Sequence, residues 1–202
     1  MELSDIGTQQ AKPIEATANA INQLLGYVAT YLTDGITYRA SNMHISAHSD
    51  AAYLNVSKAR RCDGAHIFLY EDEPKPQYNG TILTLSKIIK PVMSSDAEAK
   101  ISAVFITAKD MVPQLQTVIK MKWPNGMSTI QNNNSTSMGV TNKTIVPKCT
   151  KSMYMIFNWL CCRMVQGQFR FYWGLGTENF GNYSTKYHPP LYHNSLRPTR
   201  AG

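Results

Sequence analysis

Residues 43–53 read Met-His-Ile-Ser-Ala-His-Ser-Asp-Ala-Ala-Tyr. From Met43 to His48 apolar and polar residues alternate, which is typical of a β-strand with one buried face. The alternation leads to Asp50, an acidic residue among small side chains. We therefore predict a strand that leads to Asp50.

More extended segments lie on both sides of this stretch. Gly64–Tyr70 and Thr81–Ile89 have strand patterns, and the acidic segment Glu71–Asn79 between them has the prolines and the Asn-Gly step of a hairpin connection. Ile36–Arg39 is predicted to be extended as well. These segments predict an antiparallel start to a sheet.

The second half of the chain alternates helical and extended patterns. A helical pattern starts at Ser95, and we expect Pro113 to end it and a second short helix to begin at Leu115. Further helices are predicted within residues 14–32 and 153–164, and further strands at Met127–Gln131 and at residues 169–173, where Phe169, Phe171 and Trp173 alternate and Trp173 is expected in the core. This order predicts an α/β fold with a five-stranded mixed sheet flanked by helices.

The composition predicts a folded protein outside the membrane. Of the 202 residues, 43% are hydrophobic and 16% are charged, which fits a globular domain. The longest apolar stretch, Tyr154–Cys162, is too short to span a bilayer, so no membrane partner is expected. The first residues are acidic and polar and do not resemble a secretory signal. We therefore expect an intracellular location, with cytoplasm and nucleus both open.

The four cysteines do not predict a metal site. Cys161 and Cys162 are adjacent in a helical pattern, which is not a zinc-ligand spacing, and no histidine partners them at ligand distance in the sequence. Reduced, partly buried thiols are expected instead.

The charge is divided unevenly along the chain. Residues 1–112 contain ten Lys/Arg and twelve Asp/Glu, whereas residues 113–202 contain ten Lys/Arg and Glu178 as the single acid, a net of +9. A basic half of this kind favours a polyanion partner, most simply nucleic acid; a basic surface without such a partner is the alternative. The candidate phosphate-binding residues are Lys143, Lys148, Lys151, Arg163 and Arg170.

Five blocks of the sequence resemble the ribonuclease-H-like domain that follows the reverse transcriptase in copia-type retrotransposon polyproteins. The blocks are Ala-His-Ser-Asp-Ala-Ala-Tyr at 47–53, Ile-Ile-Lys-Pro-Val-Met-Ser-Ser-Asp-Ala-Glu-Ala-Lys at 88–100, Asn-Asn-Asn-Ser-Thr at 132–136, Gln-Gly-Gln-Phe-Arg-Phe-Tyr-Trp at 166–173 and Asn-Phe-Gly-Asn-Tyr-Ser-Thr-Lys at 179–186. They keep the order and spacing of that family from about residue 11 to residue 190. The resemblance implies that residues 1–40 are a remnant of the reverse-transcriptase connection, 41–187 the ribonuclease-H-like domain and 188–202 a basic, poorly ordered tail. No Tyr-x-Asp-Asp motif of a polymerase is present.

The resemblance also implies a chemistry and a site. Such domains cut the RNA strand of RNA–DNA hybrids with two Mg²⁺ ions held by four carboxylates. The corresponding positions here are Asp50, Lys100, Asn133 and Asn182, so only Asp50 keeps a carboxylate and remains a candidate metal ligand. Asp50 and Lys100 cancel in charge, which predicts weak or absent Mg²⁺ binding. Glu98 could supply the carboxylate at the position of Lys100 only if the helix started at a different residue.

Three interpretations stay open at this point. The first is a metal-dependent hybrid ribonuclease, impaired by the substitutions. The second is a non-catalytic module that binds RNA–DNA hybrid or another nucleic acid through its basic half. The third is a decaying transposon fragment without a selected function. In each case the reverse-transcriptase part of the same polyprotein is the ancestral partner.

Overall fold

The computed structural model describes residues 2–56, 60–71, 78–89, 93, 95–123, 126–142, 151–186, 188 and 190–201. Within these ranges the strands are β1 (His44–Val56), β2 (Arg60–Tyr70), β3 (Tyr78–Ile89), β4 (Ser128–Asn132) and β5 (Phe169–Trp173). The helices are α1 (Glu2–Thr8), α2 (Glu15–Thr30), α3 (Asp96–Lys120), α4 (Ser135–Thr141), α5 (Lys151–Val165), α6 (Gly181–Thr185) and α7 (Pro190–Ala201).

All five strands form one sheet in the order β3-β2-β1-β4-β5. The β1–β2 and β2–β3 pairs are antiparallel, and the β1–β4 and β4–β5 pairs are parallel. The predicted mixed sheet, antiparallel first and parallel later, is therefore confirmed. Because β1 lies in the centre, it has a neighbour on both sides, and its residue Asp50 pairs with Gly64 of β2.

The main hydrophobic core lies between one face of the sheet and helices α3 and α5. Ile45 and Ala47 of β1 are fully buried there, together with Ile130 of β4. Helix α3 contributes a buried apolar stripe that includes Val104, Ala108, Met111, Leu115 and Val118. Neighbouring residues of a strand point to opposite faces. On the other face of β1, His48 accordingly stacks on Phe180, with ring centroids 5.0 Å apart.

Helix α3 continues through Pro113, so the prediction of two separate helices is wrong. Proline lacks an N–H and usually breaks a helix interior. Here Pro113 is on the exposed side of α3, whereas Met111 and Leu115 on either side of it are buried. Burial of the apolar stripe therefore stabilises the helix on both sides of the proline. No helix in the described ranges is long and apolar enough to cross a membrane.

Other local predictions also differ from the structure. Ile36–Arg39 forms no strand, although the Tyr38 hydroxyl donates to the Thr81 carbonyl over 2.6 Å. Residues Pro190–Ala201, near the end of the chain, form helix α7. Trp173 is 52% exposed and not a core residue. It is the last residue of an edge strand, and its indole Nε1 donates to the Asn133 carbonyl over 3.2 Å.

Candidate functional site

Four different elements bring the sequence-predicted site residues to one end of the sheet. Asp50 is in β1, Lys100 is in the second turn of α3, Asn133 follows β4, and Asn182 is in α6. Strands β1 and β4 are parallel, with Ser49 opposite Asn132, so the residues after these two positions lie at the same edge. This topology brings Asp50 and Asn133 together, and Lys100 of α3 and Asn182 of α6 join them through side-chain contacts.

The carboxylate of Asp50 is completely buried and accepts a hydrogen bond at each oxygen. The ammonium group of Lys100 donates to Oδ1, and the side chain of Lys100 is itself only 9% exposed. The hydroxyl of Thr185 donates to Oδ2 over 2.6 Å. Asp50 is therefore one half of a buried ion pair, and its second oxygen is bound by α6.

A chain of polar contacts continues from Lys100 through two asparagines to a second lysine. Lys100 Nζ also donates to Asn133 Oδ1 over 3.1 Å, and Asn133 Nδ2 donates to Asn182 Oδ1 over 3.4 Å. Lys186 Nζ donates to the same Asn182 oxygen over 3.0 Å. We call the five residues Asp50, Lys100, Asn133, Asn182 and Lys186 the Asp50 cluster. It contains one carboxylate and two ammonium groups.

Helix caps and buried asparagines position this cluster. The hydroxyl of Ser95 accepts the Glu98 backbone N–H, which starts α3 and sets the position of Lys100. Asn132 and Asn179 both donate from their side-chain amides to the Ser49 carbonyl, over 3.2 and 3.0 Å. The middle of β1, the end of β4 and the segment before α6 are thereby joined directly.

Gly64 allows α6 to lie directly on the sheet. A Cβ atom at this position would lie 2.5 Å from Thr185 Cγ2 and 2.7 Å from the Gly181 carbonyl oxygen. Both distances are shorter than real contacts, so a larger residue would displace α6. The absence of a side chain at Gly64 therefore brings Thr185 within reach of Asp50.

Two further ionisable residues, His48 and Asp63, are buried near the site. His48 Nδ1 accepts the Phe180 backbone N–H over 3.1 Å, and burial lowers the pKa of His48 to about 3, partly offset by a hydrogen bond to the Glu178 backbone. Asp63, next to Gly64, is fully buried and neither carboxyl oxygen has a partner among the described residues. Burial raises the pKa of Asp63 well above 3.8, although the positive charge of Lys87 opposes this.

The cluster does not fit the two Mg²⁺ ions that the resemblance implies. Mg²⁺ prefers several oxygen ligands with compensating negative charge. Here one carboxylate is present, both its oxygens are engaged, and the partner of Oδ1 is a cation. Lys100 is the α3 residue that contacts Asp50, at the position predicted from the sequence. In the described part of the chain, no group of three His, Cys, Asp or Glu side chains is arranged to hold a metal ion.

The candidate phosphate-binding residues are less completely described. Lys143 and Lys148 lie outside the described residues, and Lys151 is the first residue of α5. Arg163 has intramolecular partners, because it donates to Gln168 Oε1 over 2.9 Å and lies 4.9 Å from the centre of the Trp159 ring. Arg170 is exposed on β5. Their nucleic-acid contacts stay a prediction.

Sequence reasoning missed Lys186 and Thr185. Both belong to the last of the five quoted blocks, where Thr-Lys follows Asn182. Residues three and four positions apart share one face of a helical turn, so this spacing from Asn182 was the available signal. The structure places both residues in the Asp50 cluster region.

Comparisons with known proteins identify the fold. The sequence matches no family model and has no significant match among curated proteins. Among solved structures, LC11-RNase H1 in complex with RNA/DNA hybrid is similar with a TM-score of 0.51 and 13% identity, covering 70% of this chain and 93% of that one. Another structure of LC11-RNase H1, isolated from compost by a metagenomic approach, has a TM-score of 0.50, 11% identity and coverages of 70% and 92%. The chain therefore has a ribonuclease-H-like fold.

Proposed function

We propose that this chain is a ribonuclease-H-like domain of copia-type descent that has lost the metal-dependent cleavage of RNA–DNA hybrids. The observation that carries the proposal is the ion pair between Lys100 and Asp50, in which a cation of the protein contacts the one carboxylate left at the four family positions. Support for the descent comes from the five ordered sequence blocks. In this proposal residues 41–187 form the domain, residues 1–40 derive from the connection to a reverse transcriptase, and 188–202 are a basic tail.

Charge balance explains the loss of cleavage. Two-metal hydrolysis needs ligands that compensate two divalent cations and hold the attacking water and the leaving oxygen. Asparagine at positions 133 and 182 supplies amide oxygens without charge, and Lys100 adds a positive charge beside Asp50. At an effective dielectric constant of about 20, a Mg²⁺ ion about 4 Å from an ammonium is repelled by several kcal/mol. The chain is therefore expected to bind Mg²⁺ weakly or not at all.

Nucleic-acid binding without catalysis is the second candidate function. It is favoured by the net charge of +9 on residues 113–202, to which the exposed Arg170 contributes. A phosphate contact releases counterions, so each one contributes about −0.9 to the slope of log K against log salt for B-form DNA. A salt-independent affinity for hybrid would contradict this function and leave the decaying fragment as the remaining interpretation.

The decisive experiment compares hybrid cleavage by the native chain and by a triple revertant. Lys100→Glu, Asn133→Asp and Asn182→Asp together restore four carboxylates, and Asp50→Asn in the same background is the matched control. We expect no cleavage by the native chain in Mg²⁺ or Mn²⁺, and cleavage by the revertant that Asp50→Asn abolishes. Single revertants should recover little, because such residues act as a unit.

Circular dichroism establishes whether the revertant is folded before its activity is interpreted. If it is unfolded, calorimetric titration of the native chain with Mn²⁺ tests the proposal directly. Tight Mn²⁺ binding by the native chain, or native cleavage that Asp50→Asn removes, would show that the metal centre is intact and the proposal wrong.

A further inference from the structure

The Asp50 cluster has the charge of an anion site. Its two lysines contribute two positive charges, and Asp50 compensates one of them through direct contact with Lys100. The remaining positive charge is carried by Lys186, which is exposed and donates to Asn182. A cluster with a net charge of about +1 matches one phosphodiester group, which carries one negative charge.

The hydrogen-bond donors of the cluster also fit an oxyanion. An ammonium group has three N–H donors. Lys100 donates one hydrogen bond to Asp50 and one to Asn133, and Lys186 donates one to Asn182. The amide of Asn133 donates to Asn182 over 3.4 Å, a long and therefore weak hydrogen bond that a charged acceptor can replace at low cost.

The residues of the cluster differ in their exposure to solvent. Lys100 is 8% exposed and Asn182 is 7% exposed, whereas Asn133 is half-buried and Lys186 is exposed. Gly176 borders the two asparagines, since a Cβ atom there would lie 3.3 Å from Asn133 Nδ2 and 3.5 Å from Asn182 Nδ2. An incoming group would therefore meet Lys186 and Asn133 first, beside a position that has no side chain.

We propose that the Asp50 cluster binds a backbone phosphate of a nucleic acid directly, without a metal ion, through Lys186 and Asn133 with Lys100 behind them. The inference rests on the proposed function, because it takes the loss of the metal centre as its starting point. It adds that the carboxylate-to-lysine exchange turns a cation site into an anion site. The basic half of the chain makes nucleic acid the source of the phosphate, in preference to a free phosphate ion.

The test measures the affinity of the full chain for a short RNA–DNA hybrid in EDTA. Lys186→Gln removes the exposed ammonium, and Gly176→Val blocks the entrance without changing any charge. The matched control is Lys120→Gln, which removes the same charge from an exposed residue about 30 Å along α3 from Lys100. We expect both cluster variants to weaken the affinity about tenfold and the control to have a much smaller effect.

A second measurement follows the side-chain amide resonances of Asn133 and Asn182 by NMR. They should shift when hybrid is added in EDTA. If Lys186→Gln and Lys120→Gln weaken binding equally and the amides do not shift, the inference is wrong while the proposed function stands. If inorganic phosphate shifts the amides but hybrid does not, the site takes a free oxyanion and the nucleic-acid assignment is wrong. If binding requires Mg²⁺ and cleavage follows, the proposed function itself fails.

Discussion

Lys100 of α3 and Asp50 of β1 form an ion pair in which neither side chain is more than one-tenth exposed. Fifty residues separate the two in the sequence, so the pair joins the start of α3 to the central strand. Removing charges from water is costly, and a buried pair is stable only when both partners are present. Asp50 is supported further by Thr185, whereas Lys100 is supported by Asn133.

The ion pair predicts strong coupling in a double-mutant cycle. Lys100→Met leaves the Asp50 carboxylate buried without its cation and should lower the free energy of unfolding by about 3–5 kcal/mol. Adding Asp50→Asn removes the uncompensated charge and should recover much of this loss. Urea unfolding of the two single variants, the double variant and the native chain provides the measurement. Additive effects would mean that the two groups do not interact in solution.

The docking of α6 on the sheet depends on Gly64, and alanine there should be destabilising. The new methyl group would overlap Thr185 Cγ2 and the Gly181 carbonyl, with an expected cost of about 1–3 kcal/mol. Gly26→Ala in α2 is the matched control, since a Cβ there meets nothing within 4 Å. That change should stabilise the helix by about 0.5–1 kcal/mol. Thermal unfolding of the two variants should therefore shift in opposite directions.

Strand and helix patterns predicted most of the fold. Alternation from Met43 to His48 predicted the first part of β1, and the buried Phe169 and Phe171 agree with the pattern of β5. Periodicity gave wrong predictions at two positions where tertiary packing determines the local structure or the burial. Pro113 is tolerated because its side of α3 is exposed, and Trp173 lies at the end of an edge strand. Local spacing does not show whether a proline lies on the exposed side of a helix. It also does not show whether a strand lies at the edge or in the centre of a sheet.

The candidate site was predicted as a set of positions, not as a set of contacts. The resemblance supplied Asp50, Lys100, Asn133 and Asn182, and their charges led to the prediction of weak or absent Mg²⁺ binding. Which atoms touch depends on long-range packing, so the contact of Lys100 with both Asp50 and Asn133 required the structure. Lys186 was missed because its four-residue spacing from Asn182 is informative only if this segment forms a helical turn, and the sequence pattern alone did not predict one there.

Asp63 should make the protein less stable as pH rises. Its pKa in the folded state lies above the ordinary 3.8, so between these two values the folded state retains a proton that the unfolded state loses. As pH rises across this window, the free energy of unfolding should fall by up to about 1.4 kcal/mol per pH unit. The stabilising contribution of Asp63 is fully present below pH 3.8. Asp63→Asn should remove this slope and raise stability at neutral pH. Asp34→Asn, at an exposed position, is the control; an unchanged slope in Asp63→Asn would contradict the assignment.

His48 should make the protein less stable as pH falls, which is opposite to the effect of Asp63. Burial lowers its pKa from 6.5 to about 3, so below 6.5 the unfolded chain takes up a proton that the folded chain does not. The contribution of His48 to the free energy of unfolding is therefore fully present above pH 6.5. It should fall as pH drops towards 3, by up to about 1.4 kcal/mol per pH unit. Protonation would also remove the acceptor for the Phe180 N–H, which helps to hold the segment before α6.

The His48 and Asp63 windows overlap with opposite slopes, so the native pH profile alone cannot separate the two residues. His48→Gln keeps a hydrogen-bond acceptor near Phe180 but cannot titrate, and it should remove the pH dependence that His48 contributes between 6.5 and about 3. NMR of the His48 ring protons in the folded native chain provides an independent measurement. They should not titrate above about pH 4. A folded-state titration near the ordinary histidine value would show that the ring is accessible to water and that α6 does not cover it as described.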